Sequence, residues 1–457
     1  MQDNGSFLPE EDTAGGKKKN AGKKALIAVI CVLAAALVFA AGFFVSRLTL
    51  DSGLKSLLWF KQKIQDEYYE EISDDEFWQA AIDGAEGILD RYSCYYTADE
   101  YDAVINSDRG IKGGAGFSFF ADTNKIYKVA VGSPAFFAES ASGEKAQAGM
   151  YLTGVGESEG EIADTFTAAA VSSALSSVNT GETRVLRLSA TDAKDTQNCI
   201  YLTVGFEVYT ESYVLYATNE GTYAEIFNDD ASGGVWQRVG EGMRALRGGE
   251  AYISLAQFSG NAAEEFAQAA AQYKADGCST LLFDLRNDGG GNLAILGEIA
   301  AYLLKDADVN SPLMYADYGE KRTVFLLGRD LYAEYFAGSE IFVAANGNTA
   351  SASEALIGAM LCYDTIEYEN IYLIATGGAD APAGTYGKGI MQTTFRNPVT
   401  GEAAKLTTAR IYWPDGATCI HERGITTSDG AHGIPAESNA DYGDPALLQI
   451  LEDMRKQ

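Results

Sequence analysis

Residues 25–45 read ALIAVICVLAAALVFAAGFFV, 21 positions without a charge. A helix of that length crosses a hydrocarbon core of about 30 Å. Lys17, Lys18, Lys19, Lys23 and Lys24 stand just before it, which argues against a helix buried in a globular core. Positive charge stays on the cytoplasmic side of a membrane. The expectation is therefore a single-pass signal anchor at 25–46 in the cell membrane. Residues 1–24 then form a polar, disordered cytoplasmic tail, and the body of the chain lies outside the cytoplasm. A cleaved signal peptide is the alternative, although its apolar region is usually only about 7–15 residues long.

Charge and rare residues narrow the chemistry of that body. The 457 residues carry 34 Lys and Arg against 64 Asp and Glu, a net charge of -30. Six basic and four acidic groups fall within residues 1–50, so the rest carries 28 and 60, or -32. Such a surface argues against nucleic acid as a partner, because phosphate binding needs clustered Lys and Arg. His421 and His432 are the only histidines, and no Cys-x-x-Cys occurs. A zinc or iron–sulfur site is disfavoured, and no metal or cofactor is expected. A Ser-His-Asp hydrolase is disfavoured too, so an enzyme here needs another base. The cysteines beyond Cys31 are five and widely spaced. They suggest small buried side chains and no disulfide framework.

The length allows about three folded units at roughly 150 residues each. Residues 52–108 read as a helical segment, with Ser73 and Glu76 in capping-box spacing before Phe77. Residues 109–208 alternate short apolar runs with turns, around one helical stretch at 165–178, as a small β-rich domain does. From 209 to 450 strand and helix alternate: strands at 252–255, 280–285 and 341–345, helices at 262–273, 293–304 and 353–361. That order predicts an α/β domain. Residues 218–248, Gly-rich and polar, fit a loop or an inserted hairpin.

Four segments have a composition suited to chemistry, and each also has a plainer structural reading. NGNTASASE at 346–354 leaves a strand and opens a helix, so a serine hydroxyl and helix-start amides meet at one turn. Its plainer reading is helix capping by Ser351 or Ser353, with Glu354 as the first-turn partner. GTYGKGIMQ at 384–392 sets Lys388 between glycines. A lysine accepts a proton from serine only when neutral, which burial favours; the plainer reading is an exposed hairpin lysine. No Gly-x-x-x-x-Gly-Lys-[Ser/Thr] phosphate loop is present, since Gly389 occupies the Ser/Thr place. DLRNDGGGN at 284–292 offers glycine amides between a strand and a helix, or simply a tight connection. GGAGFSF at 113–119 offers a glycine loop and a strand edge that suit a peptide's terminal carboxylate.

Taken in order, these segments resemble the carboxyl-terminal processing peptidases, tail-specific serine proteases of the S41 type. The resemblance covers roughly residues 54–450. It includes LDRYSCYY at 89–96, GAGF at 114–117, VGSPA at 131–135, AGM at 148–150, YISLAQF at 252–258 and AKLTTARIY at 404–412. It implies an α/β protease core of the crotonase/ClpP-like ββα type with a PDZ-like domain. It implies Ser351 as nucleophile, Lys388 as general base and Gln392 as the residue positioning that lysine. The oxyanion hole falls to the Ala352 amide with Gly290, or Gly291 as the alternative. Gly114, Ala115, Gly116 and Phe117 become the peptide-binding loop. Partners follow as protein or peptide substrates held by their C-termini, with a homo-oligomer also compatible.

Departures from the pattern bear on specificity and gating. Asp288-Gly289 stands where Asn-Pro is usual, 368–382 reads as an insertion beside the site and the loop around 218–248 as enlarged, whereas Thr349 in place of serine is harmless. The same residues admit a catalytically inactive peptide-binding scaffold, and labelling of Ser351 by a serine-reactive probe separates the two.

Overall fold

The helices after residue 50 begin where local chemistry starts them. Asp51 accepts the Gly53 amide before Ser52–Glu67, and the expected Ser73/Glu76 capping box precedes Asp74–Glu86. This is a computed structural model; it describes residues 51–227, 233–376, 383–435 and 444–456, with 29, 32–34 and 37. The 1–24 tail and nearly all of the 25–46 segment, Cys31 included, lie outside the described residues. Among those described, no helix is long and apolar enough to cross a membrane. The chain divides into two compact units, 1–88 and 89–457.

The second unit is organised by an eight-stranded sheet. Its central strands Glu250–Leu255, Thr280–Asp284, Glu340–Asn346, Ile371–Ile374 and His432–Ile434 run parallel. Runs such as TLLF and IFVAA are apolar throughout rather than alternating, which suits strands covered on both faces. Helices Ala262–Ala275, Leu293–Leu303 and Ala352–Cys362 pack on one face. Pro445–Met454 covers the other. At the antiparallel end lie Val214–Ala217 and the hairpin Gly221–Phe227/Gly234–Glu241. The 218–248 region is thus chiefly a hairpin that widens the sheet.

A second, antiparallel sheet joins Cys94–Tyr96, Ala403–Tyr412, Pro312–Asp317, Arg322–Leu326 and Ile390–Arg396. The β-rich stretch builds its own core around Leu152, Leu186, Leu188 and Leu202, with the helix Ala168–Ser176 supplying Val171. Within it Phe117–Phe119 pairs only with Ile126–Val129, so among the described residues its other edge is open.

Three expectations change. Ile371–Ile374, inside the supposed 368–382 insertion, is a fully buried strand of the main sheet; residues 377–382 lie outside the described set. Cys94–Tyr96, inside the helical segment, is a strand paired to Ala403–Lys405. Its aromatic side chains suit a pleated surface better than a helix. The five described cysteines are unpaired but not buried: Cys362 is exposed and the others half-buried.

Candidate active site

Ser351 sits between the strand Glu340–Asn346 and the helix Ala352–Cys362, with φ of 60°. A non-glycine residue held there is strained, and such strain collects where surrounding structure over-determines it. The Ser351 amide donates to Glu354 Oε2 at 3.0 Å. Asn346, at the strand end, joins the neighbouring loop: its Oδ1 accepts Asn287 N and its Nδ2 donates to Asn287 Oδ1.

Glu354 does far more than cap its helix. Its carboxylate also accepts Thr385 Oγ1 at 2.6 Å, Gly387 N at 2.8 Å and Lys388 N at 2.9 Å. One buried group thereby fixes both the serine turn and the lysine loop. Burial pushes its carboxyl up, and the four donors pull it back down. In the sequence Glu354 reads only as a partner within its own helix. Its partners stand 31 to 34 residues away, beyond any local pattern.

Lys388 is half-buried, and its ammonium lies 5.3 Å from the centroid of the Tyr92 ring, a cation–π arrangement. Burial, then the charge of Lys405, hold it below the usual lysine range, while Glu354 and Asp90 act against them. No hydrogen bond joins it to Ser351. Gln392 does not bond Lys388 either: its Nε2 donates to Thr407 Oγ1 at 3.3 Å. The two strands shift register between Met391 and Gln392, which redirects that side chain across the strand pair.

Gly290 closes the site from the third side. Its φ is 89°, and a Cβ there would stand 2.7 Å from Ala352 N and 2.8 Å from Ser351 Cβ. Only glycine fits so close an approach. Gly291, at φ 148°, is equally pressed on Phe258 O.

Ser351, Ala352, Gly290, Gly291, Lys388 and Gln392 all line one groove of about 1270 Å³. The same groove is lined by Gly114, Ala115, Gly116 and Phe117, 170 and more residues away in the chain. Lys112 and Lys128 lie at that end, Lys128 paired with Glu211 at 2.5 Å. Neither histidine lines the groove; His432 stacks on Tyr372. Among the described residues no cluster of His, Cys, Asp or Glu could hold a metal. Chemically, the arrangement offers a hydroxyl on a strained turn, a desolvated amine and convergent amides beside an open strand edge.

Residues 250–367 match the sequence profile of peptidase family S41. The chain is 29% identical over 205 residues to the carboxyl-terminal-processing protease of Synechocystis, covering 43% of this chain and 41% of that one. It is 29% identical over 184 residues to the chloroplastic C-terminal processing peptidase of Tetradesmus obliquus, covering 38% and 33%. The chain thus spans less than half the length of these curated relatives. Among solved structures, the photosystem II D1 C-terminal processing protease overlaps at a TM-score of 0.46 and 20% identity, covering 82% of this chain and 86% of that one.

Proposed function

On the premise that the chain carries a peptidase family S41 domain, we propose that it is a serine endopeptidase of the carboxyl-terminal-processing type with a Ser351–Lys388 dyad. The observation that carries this reading is the Glu354 carboxylate, which binds the backbones of both residues at once. Lys388 leaves the Tyr92 ring and takes the Ser351 proton as Oγ attacks the peptide carbonyl. The Ala352 amide, with Gly290 or in its place Gly291, holds the oxyanion. The proton passes to the departing amine as the C–N bond breaks, and water then releases the acyl group. Gln392 supports Lys388 once the groove is filled.

The 109–208 region acts as a PDZ-like domain. Its open Phe117–Phe119 edge accepts a substrate's C-terminal strand, with the terminal carboxylate at residues 114–117. Residues 25–46 anchor the chain in the cell membrane, with the 209–450 core outside the cytoplasm.

Ser351→Ala should lower cleavage of an unstructured protein such as casein by at least about a thousandfold, with the thermal midpoint unchanged. Lys388→Ala should do nearly the same. Undiminished cleavage by the serine variant sinks the assignment.

The second reading is a non-catalytic peptide-binding scaffold. It is favoured by the absence of a Ser351–Lys388 hydrogen bond and by the Gly290 amide, which already donates to Asp288 Oδ1 at 2.8 Å. Reaction of Ser351 with a fluorophosphonate decides between the two, since a scaffold should show none.

A further inference from the structure

Asp288 precedes the oxyanion glycines, and the reaction proposed above makes no use of its side chain. That side chain is wholly buried. Its Oδ1 accepts the Gly290 amide at 2.8 Å, and its Oδ2 has no partner. Its backbone carbonyl accepts Ala350 N at 2.9 Å and Ser353 Oγ at 3.0 Å, which fixes the residue against the Ser351 turn. The amide it holds belongs to the glycine on which a Cβ would press against Ser351 and Ala352. An asparagine, the usual residue of the pattern this loop resembles, would accept the same amide without a charge.

Charge decides what Asp288 does there. A buried carboxylate oxygen without a donor is costly, and a proton removes the cost. Burial pushes this carboxyl up to about 8, against the pull of the Gly290 amide, Ser353 and Lys128. Lys128, on the strand Ile126–Val129, is already paired with Glu211. From the helix Ala352–Cys362 the facing group is Ser353; its neighbour Glu354 has four donors of its own. Arg286, on the same loop, is committed to Asp284 and Asp444. The groove itself is lined by Lys388 and Lys112, both held low by burial, and by Asp108, pushed up by burial, with Glu211 and Lys405.

We propose that Asp288 is a positioning residue that gates the oxyanion site by its proton. Protonated, it is a neutral and weaker acceptor, as asparagine would be, and yields the Gly290 amide to the substrate's oxyanion more readily than a carboxylate does. Ionised, it retains that amide and sets a negative charge beside the point where the oxyanion forms. The inference rests on Ser351 being the nucleophile. It sets two opposed titrations around one serine, since Lys388 must lose a proton and the buried Asp288 must keep one. Reactivity then follows a bell-shaped profile.

The test is the rate of Ser351 labelling by a fluorophosphonate, whose phosphoryl oxygen occupies the oxyanion position, measured on the full chain from pH 6 to 10. Wild type should fall by about tenfold per pH unit above an apparent pKa near 8. Asp288→Asn should lose that fall and exceed wild type about tenfold or more at pH 9.5. A wild type with no alkaline fall, or an Asn variant with the same fall, overturns the gate and leaves the serine assignment standing. No labelling at any pH sinks the serine assignment and the gate with it. Should Asp288→Asn fail to fold, Asp288→Ser replaces it, with a carboxyl ¹³C titration of wild type labelled at aspartate. An aspartate titrating in step with the alkaline fall supports the gate, and none titrating above pH 7 overturns it.

Discussion

Glu354 and Asp288 are equally buried on two sides of Ser351, yet they are held differently. The Glu354 carboxylate accepts four hydrogen bonds, whereas that of Asp288 accepts one and leaves an oxygen unpartnered. Desolvation raises both carboxyls. Only at Glu354 do donors replace most of the water that burial removed. A carboxylate so surrounded is a fixed joint between loops; one left short of donors is a group that exchanges a proton. The difference lies in the backbone delivered to each site, since the two residues share their chemistry.

The largest effect expected from this contrast is that of Glu354→Ala. It strands three backbone amides and the Thr385 hydroxyl, each worth about 1–3 kcal/mol when left unpaired in the interior. The costs are not additive, but a total above about 3 kcal/mol should lower the thermal midpoint by several degrees. Fluorophosphonate labelling of Ser351 should drop by at least about a hundredfold. A midpoint within a degree of wild type would mean that the joint carries little load.

An intermediate and more discriminating effect comes from isosteric amides at both positions. Glu354→Gln turns an NH₂ toward groups that are themselves donors, and should cost about 1–3 kcal/mol at any pH where Glu354 is ionised. Asp288→Asn should have the opposite sign. The folded-state pKa of Asp288, about 8, lies above its ordinary 3.8. Between those values the unfolded chain gives up a proton that the folded chain keeps. Wild-type stability therefore falls as pH rises through that interval, and the penalty is complete above it. Asparagine carries no such penalty. The variant should match wild type near pH 4 and exceed it by about 1–3 kcal/mol at pH 9, read by denaturant titration at both. Equal signs for the two amide variants would break the contrast.

How much of this was legible in sequence depends on how far apart the cooperating residues lie. The strand–helix alternation from 250 to 362 was readable because each run is apolar, of the right length and bounded by turns. Ser351, Lys388 and the glycines were readable through their order and spacing. Ile371–Ile374 was not, because a four-residue apolar run without a following helix carries too little periodicity to reveal a central strand. The Pro312–Asp317/Arg322–Leu326 hairpin is hard to read for a similar reason, since it belongs to a second sheet completed by Ala403–Tyr412. Glu354 was visible as a capping residue and invisible as a joint, because its other partners arrive with a loop more than 30 residues later. Asp288 was visible as an unusual residue, but its unpartnered oxygen exists only once Ala350 and Ser353 fix its carbonyl.

The smallest effect tests whether the contrast is graded. Thr385 Oγ1 donates to Glu354 Oε1 and accepts the Ile425 amide at 2.8 Å. Thr385→Val keeps the shape, removes one of the four donors and strands one amide. The stability cost should be about 1–2 kcal/mol, well short of that for Glu354→Ala. Labelling of Ser351 should fall less than about tenfold at pH 8, because three donors still hold the serine turn to the lysine loop. With one donor fewer, Glu354 moves toward the condition of Asp288, and its carboxyl should rise further from the ordinary range. The alkaline side of the labelling profile, governed by Asp288, should nonetheless stay where it is in wild type. A shift of the alkaline side would mean that the two carboxylates are not separately controlled and that the serine turn transmits the loss of a donor from one to the other.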